Sequence, residues 1–126
     1  MASSAFNLTF QIGDVMQKVS EKTQEARKGA FSVKYMMRGP VLDWGILEAE
    51  PGKQMGQHWH EKVEETFYCV QGSGVFICNG KEIPYAAGDA IRCEAGEKHD
   101  IKNTGKILLK VVFIKTPYLP DDKRTD

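Results

Sequence analysis

Residues 65–85, with the sequence ETFYCVQGSGVFICNGKEIPY, contain three short runs of β-favouring residues separated by glycine-containing turns. Asn79 and Gly80 lie between the second and third runs. Because both central positions of a type I′ turn need positive φ, this pair is a strong hairpin signal. A Gly-Ser-Gly triplet at residues 72–74 predicts another tight turn. The stretch therefore indicates short β-strands joined by tight turns.

Runs of the same kind occur on both sides of this stretch, separated by Gly, Pro, Asn and Asp. They are FSVKYMM (31–37), VLDWGILEA (41–49), AIRC (90–93) and ILLKVVFIK (107–115). No helical pattern of about 10–15 residues separates them, so the chain is predicted to be all-β, a sandwich or a barrel. Residues 14–29 are polar and allow either a short helix or an extended arm.

The chain has 126 residues, which fits a single domain. We predict an N-terminal arm at residues 1–30, a barrel domain at 31–116 and a charged C-terminal tail at 117–126. Two prolines and dense charge in the last segment prevent a regular strand ladder, so we expect it to lie on the surface.

The charge balance bears on which partners the chain binds. Lys plus Arg and Asp plus Glu both number 17, and no long run of one sign occurs. Nothing here predicts the electrostatic attraction that nucleic acids or anionic membranes require. The N-terminal sequence lacks the pattern of a signal peptide, and no segment approaches the ~18 apolar residues of a membrane span. We therefore predict neither a nucleic-acid nor a membrane partner.

Three cysteines, Cys69, Cys78 and Cys93, fall in apolar, strand-like segments. Their odd number and the lack of CxxC spacing favour buried free thiols over a disulfide scaffold. Free thiols are typical of a reducing compartment, and we predict a cytoplasmic protein.

His58 and His60 are separated by a single residue. Side chains on a strand alternate between its two faces, so on a strand both imidazoles would project from the same face and could converge on one ion. Trp59 would point the other way, to pack on the outer side of the sheet or against a partner subunit. Taken alone the pair is a weak signal, because histidines on strands are more often ordinary polar residues.

The wider spacing of glycines, histidines and one carboxylate is much more specific. In order it reads Gly52, five residues, His58-x-His60, four residues, Glu65, six residues, Gly72; then Gly88, seven residues, Gly96, two residues, His99, three residues, Asn103. This pattern resembles the two conserved motifs of the cupin superfamily. One position departs from it, since Glu94 stands where the second motif usually has proline.

The resemblance implies an all-β double-stranded β-helix, or jelly-roll, cupin barrel with a metal ion bound by His58, His60, Glu65 and His99. His58, His60 and His99 are the only three histidines of the chain. The neighbouring Glu64 is an alternative ligand, because the family tolerates three or four residues after the second histidine. Counting back from Gly72 with the motif's six intervening residues gives Glu65. Glu65 also shares strand parity with the apolar residues at 67 and 69, which favours it over Glu64.

Three imidazoles and one carboxylate suit one divalent transition metal, Mn, Fe, Co, Ni, Cu or Zn, better than Ca or Mg. The resemblance implies a homodimer and a metal-dependent enzyme acting on a small-molecule substrate, as a sugar or sugar-phosphate isomerase, a dioxygenase or a lyase. A non-catalytic module that binds a small molecule, with an anchoring or structural metal, is the alternative. No catalytic acid or base is assigned.

Overall fold

The computed structural model describes residues 10–12 and 16–126. Every regular element in this part of the chain is a β-strand, which confirms the predicted all-β class. The strands are β1 Phe10–Ile12, β2 Met16–Lys18, β3 Ser32–Arg38, β4 Asp43–Ala49, β5 Glu64–Gln71, β6 Ser73–Cys78, β7 Lys81–Ala86, β8 Ala90–Cys93, β9 His99–Lys102 and β10 Leu109–Thr116. No helix within the described residues has the length and apolar character needed to cross a membrane.

The strands form two main antiparallel sheets. The larger has the order β3-β4-β10-β5-β8, and the smaller has the order β7-β6-β9. β1 and β2 pair only with each other. Single bridges from Gln54 to Lys102 and from His58 to His99 extend the smaller sheet beyond β9. The two sheets together make the jelly-roll arrangement.

The core lies between the two sheets and follows the alternation of strand side chains. On β5, Phe67 and Cys69 are fully buried, whereas Tyr68 between them is 46% exposed. On β10, Val111 and Phe113 face inward and are buried. The inward parity predicted for residues 65, 67 and 69 is therefore confirmed, and it points Glu65 into the interior.

The hairpin predicted at Asn79 and Gly80 joins β6 to β7. Their φ angles are 51° and 82°, so both residues occupy the left-handed region, as the turn requires. Gly72 links β5 to β6 with a φ of 89°, and a Cβ there would lie 2.8 Å from the backbone oxygen of Leu108. The turn at Gly72 joins β5 of the larger sheet to β6 of the smaller sheet, and the turn at Asn79 and Gly80 joins β6 to β7 within the smaller sheet.

The N-terminal segment lies against the larger sheet in an extended path. Among residues 16–29 the structure has β2 and turns but no helix, so the extended alternative holds there; residues 14 and 15 lie outside the described part. The Glu21 carboxylate lies 3.0 Å from Lys110 Nζ on β10. Gln24 Nε2 donates to the backbone oxygen of Tyr35 on β3 at 3.1 Å.

Candidate metal centre

The structure brings the four predicted ligands together at one end of the barrel. Glu65 is the second residue of β5 and His99 is the first of β9, while His58 and His60 lie in the segment before β5. All four side chains are buried. One ligand atom from each lies within 4.8 Å of the others, so the group could hold a metal ion.

The His58–His60 segment is not a full strand, although it keeps the alternation of one. His58 and His99 exchange two backbone hydrogen bonds of 3.0 and 2.9 Å, and Trp59 pairs with Arg124 in the same way. His58 and His60 both line the cavity described below. Trp59 donates its indole N–H to the backbone oxygen of Asp126 at 3.0 Å. The chain's own C-terminal segment thus covers Trp59.

Each histidine is oriented by a hydrogen bond between its Nδ1 atom and a backbone carbonyl oxygen. A carbonyl oxygen can only accept, so each Nδ1 carries a proton and each neutral imidazole keeps its Nε2 lone pair free. The pairs are His58 with Gly56 at 3.1 Å, His60 with Asp122 at 2.6 Å, and His99 with Glu97 at 2.9 Å. Three Nε2 atoms are therefore prepared to act as metal ligands.

The free nitrogen atoms face a carboxylate. His60 Nε2 lies 3.0 Å from Glu65 Oε1, and His99 Nε2 lies 3.5 Å from the same oxygen. His99 Nε2 is buried and has no hydrogen-bond partner among residues 10–12 and 16–126. A neutral imidazole nitrogen and an ionised carboxylate are both acceptors, so in the metal-free protein this contact needs a second proton on an imidazole, and a divalent ion held by the same atoms would take the place of that proton. The donor set therefore fits a divalent ion.

The electrostatic environment favours the ligand-ready protonation states. Burial alone would raise the pKa of Glu65, but the contacts of its carboxylate with the His60 and His99 imidazoles outweigh burial and hold that pKa at about 2. Burial, followed by the nearby His99, lowers the pKa of His58 to about 4. At neutral pH Glu65 is ionised and His58 is uncharged, as metal coordination requires.

Glu65, rather than a neighbouring glutamate, is the carboxylate at this centre. Glu64 precedes it on β5, is half-buried and is not part of the group. Glu61 pairs with Arg124 at 3.0 Å on the surface. The strand alternation that favours Glu65 in the sequence is the same feature that separates the two neighbours in space.

The two sequence motifs meet through the backbone of Gly96. Its amide donates to the backbone oxygen of His60 at 2.7 Å, and its φ is 89°. Glu94, which replaces the usual proline, accepts from the Glu97 amide at 3.1 Å and closes the turn. The departure from the motif thus leaves the turn that presents His99 intact.

Two aspartates support the histidines, and the sequence reasoning did not identify either. Asp100 accepts hydrogen bonds from Gln54 Nε2 at 2.6 Å and from the Gly56 amide at 2.8 Å, which fixes the carbonyl that orients His58. Asp122 lies in the C-terminal segment and orients His60. Its carboxylate accepts from the backbone amides of residues 61, 62 and 63 at 2.8–3.1 Å.

A cavity of about 250 Å³ opens beside the candidate ligands. His58, His60 and Glu65 form one side of it, and apolar side chains such as Leu47 and Phe113 form another. Its remaining wall contains four cationic side chains, those of Arg27, Lys28, Lys115 and Lys123. The volume lies just below the range of about 300–1,000 Å³ for drug-sized ligands and suits a small metabolite.

Comparison with known protein families gives a match over residues 45–115 to the family model described as a cupin domain. The oxalate-binding protein of Thermotoga maritima is 40% identical over 68 residues, covering 54% of this chain and 56% of that protein. The tetracenomycin polyketide synthase protein TcmJ of Streptomyces glaucescens is 32% identical over 76 residues, covering 60% and 51%. The chain spans about half the length of these curated relatives.

Solved structures share the fold over most of the chain. A predicted oxalate decarboxylase from Thermotoga maritima superposes with a TM-score of 0.68 and 28% identity, covering 75% of this chain and 91% of that one. KdgF from Halomonas gives a TM-score of 0.73 at 18% identity, covering 81% and 94%. A sugar phosphate isomerase from Silicibacter pomeroyi gives 0.72 at 19%, covering 79% and 74%. The last two show similarity of fold alone.

Proposed function

This chain belongs to the cupin domain family, and from that premise we propose that it is a metal-dependent enzyme acting on a small metabolite. His58, His60, Glu65 and His99 would hold one divalent transition ion, Mn, Fe, Co, Ni, Cu or Zn. The observation that carries the proposal is the contact of 3.0 Å between His60 Nε2 and Glu65 Oε1. A divalent ion would bind both atoms without a second proton on the imidazole.

When bound, such an ion supplies a Lewis acid for a substrate oxygen or, if it is redox-active, a site for dioxygen chemistry. The residues of the chain would hold the ligand set rigid, since each imidazole is fixed by a backbone carbonyl. The adjoining cavity would bind the metabolite next to the centre. Isomerase, dioxygenase and lyase reactions are all compatible with this arrangement.

A second function is a non-catalytic module in which the metal anchors a bound small molecule. The observation that favours it is the relative from Thermotoga maritima, which is 40% identical over 68 residues and is named for binding oxalate. The two functions share the metal centre and differ in whether the bound molecule is converted.

Metal analysis of the purified protein, followed by turnover assays with a panel of small metabolites, tests both functions. We expect one equivalent of a transition metal and a melting temperature that rises with added metal, because ligand binding stabilises the folded state. Turnover supports the enzyme, whereas a ligand-induced rise in melting temperature without turnover supports the binding module. Failure to bind any of the six ions would remove both.

We also propose that the chain forms a homodimer. The outer face of the larger sheet exposes Tyr68 and Val70 at 46% each and Ile114 at 38%. These side chains lie on adjacent strands β5 and β10, so they form one apolar surface. Light scattering coupled to size-exclusion chromatography measures the mass, and Tyr68→Lys should shift a dimer towards monomer. A monomeric wild-type protein would refute the proposal.

We propose a cytoplasmic location on the basis of the cysteines. All three are free thiols, with Cys69 and Cys93 buried and Cys78 partly buried. Burial raises the pKa of the Cys69 thiol, which keeps it protonated and unreactive. Cell fractionation with an antibody to the chain tests the location, and recovery in a secreted fraction would contradict it.

A further inference from the structure

Lys115 occupies an unusual position for a lysine, because it lies on the inward face of the barrel. It follows Val111 and Phe113 at the same strand parity on β10, and both of those side chains are buried. In the antiparallel register Lys115 is the direct partner of Glu65 on β5. Lys115 itself is half-buried, and a partly buried charge on the inward face of a barrel is stabilised by a polar or anionic partner in the cavity.

Lys115 is not paired with a carboxylate in the described part of the chain. Its Nζ atom donates to the hydroxyl of Tyr35 at 3.2 Å, and it has no salt bridge to Glu65. By contrast, surface cations such as Arg92 and Arg124 have glutamate partners at 2.8 and 3.0 Å. The hydrogen bond of the Lys115 ammonium is therefore to a neutral group, while the Glu65 carboxylate lies near enough for the charge of Lys115 to help lower its pKa.

Two further cations stand at the open rim of the same cavity. Arg27 comes from the loop before β3, and Lys123 comes from the C-terminal segment. Partial burial and the charges of Arg27 and Lys115 lower the pKa of Lys123. The three cationic groups thus repel one another, and an anion placed among them would remove that repulsion.

We propose that the cavity selects a small dianion, with one anionic group beside the candidate metal ligands and the other held by Lys115, Lys123 and Arg27. The chemical class is a short dicarboxylate or a small phosphate ester. The cavity of about 250 Å³ is smaller than the range of about 300–1,000 Å³ for drug-sized ligands, which suits such small molecules. This inference names the class of metabolite for the proposed function. It rests on that function only for the anionic group placed beside the metal.

Titration calorimetry with malonate and its uncharged analogue malonamide tests the proposal. We expect wild-type protein to bind malonate at least tenfold more tightly than malonamide. Lys115→Met should weaken malonate binding about tenfold and Lys123→Met about fivefold, because each removes a charge-assisted contact. Lys106→Met is the matched control, since Lys106 is exposed and remote from the cavity, and it should leave the affinity unchanged.

An equal effect of Lys106→Met and Lys115→Met on the binding of the preferred charged probe would overturn the proposal. Lys115→Arg and Lys123→Arg keep the charge and should retain most of the affinity, which separates a charge effect from a folding defect. A second titration with glycerol 3-phosphate and glycerol shows which class of dianion is preferred; if neither charged probe is preferred to its neutral analogue, the proposal falls.

The titrations are done on metal-free and on metal-loaded protein, so the two proposals can fail separately. If no metal binds but malonate is still preferred and depends on Lys115, the metal-dependent function is wrong and the anion site stands. If metal binds with full stoichiometry while charged and neutral probes bind alike, the anion site is wrong and the metal centre stands.

Discussion

The four candidate ligands divide into two pairs that are held in different ways. Glu65 and His99 lie on strands β5 and β9, where hydrogen bonds to neighbouring strands fix the backbone. His58 and His60 lie in a segment outside the named strands, and Asp100 and Asp122 support their orienting carbonyls from elsewhere. Half of the centre therefore follows from strand register, and the other half depends on tertiary contacts.

The largest expected effect comes from a strand-borne ligand. Glu65→Gln should abolish stoichiometric metal binding, because the amide carries no charge and coordinates transition ions weakly. The metal-free variant should stay folded, since the new amide can donate to His60 Nε2 across the existing 3.0 Å contact. Metal content is measured by elemental analysis and folding by circular dichroism. Glu64→Gln is the matched control, and an equal loss of metal from it would reverse the choice of carboxylate.

Acid titrates one member of each pair, His58 and Glu65, in different pH ranges in the metal-free protein. The pKa of His58 is lowered from 6.5 to about 4, so its contribution to stability is full above pH 6.5 and is lost as pH falls towards 4. The pKa of Glu65 is lowered from 4.5 to about 2, so its contribution is lost between those values. Each contribution is at most about 3 kcal/mol.

Urea unfolding of the metal-free protein at a series of pH values measures this separation. His58→Gln removes the group that titrates first, so its stability should fall less than that of wild type between pH 6.5 and 4. Below pH 4 the two proteins should lose stability in parallel, because Glu65 remains in both. Parallel curves over the upper range would show that His58 does not contribute as described.

The division also explains how much of the site could be predicted from the sequence. Alternation on β5 predicts that Glu65 faces inward with Phe67, because a strand's parity is a local property of the chain. The same alternation on β10 could also have identified Lys115 as inward-facing, because it follows Phe113 by two residues. The sequence contains no comparable pattern for Asp122. Its carboxylate accepts hydrogen bonds from backbone amides about sixty residues away, and nearly every residue type has such an amide.

Among the supports of the loop-borne pair, Asp100 should matter most because it is buried. Asp100→Ala removes the acceptor of the Gly56 amide and of Gln54 Nε2, and should weaken metal binding by roughly tenfold to a hundredfold. The free energy of unfolding should fall by about 2 kcal/mol. Asp89→Ala is the matched control, because its carboxylate also accepts from a backbone amide, that of Ala86. It should destabilise the fold without changing metal affinity.

Asp122 gives the smallest expected effect, because it is only half-buried, whereas Asp100 is buried. Asp122→Ala removes three hydrogen bonds from residues 61–63 but keeps the backbone oxygen that accepts from His60 Nδ1. Metal affinity should fall about tenfold, since that oxygen would no longer be fixed in place. Asp121→Ala, at the exposed neighbouring position, should change the affinity less than twofold. Equal effects of the two substitutions would mean that the Asp122 carboxylate does not position His60, and that the C-terminal segment only covers it.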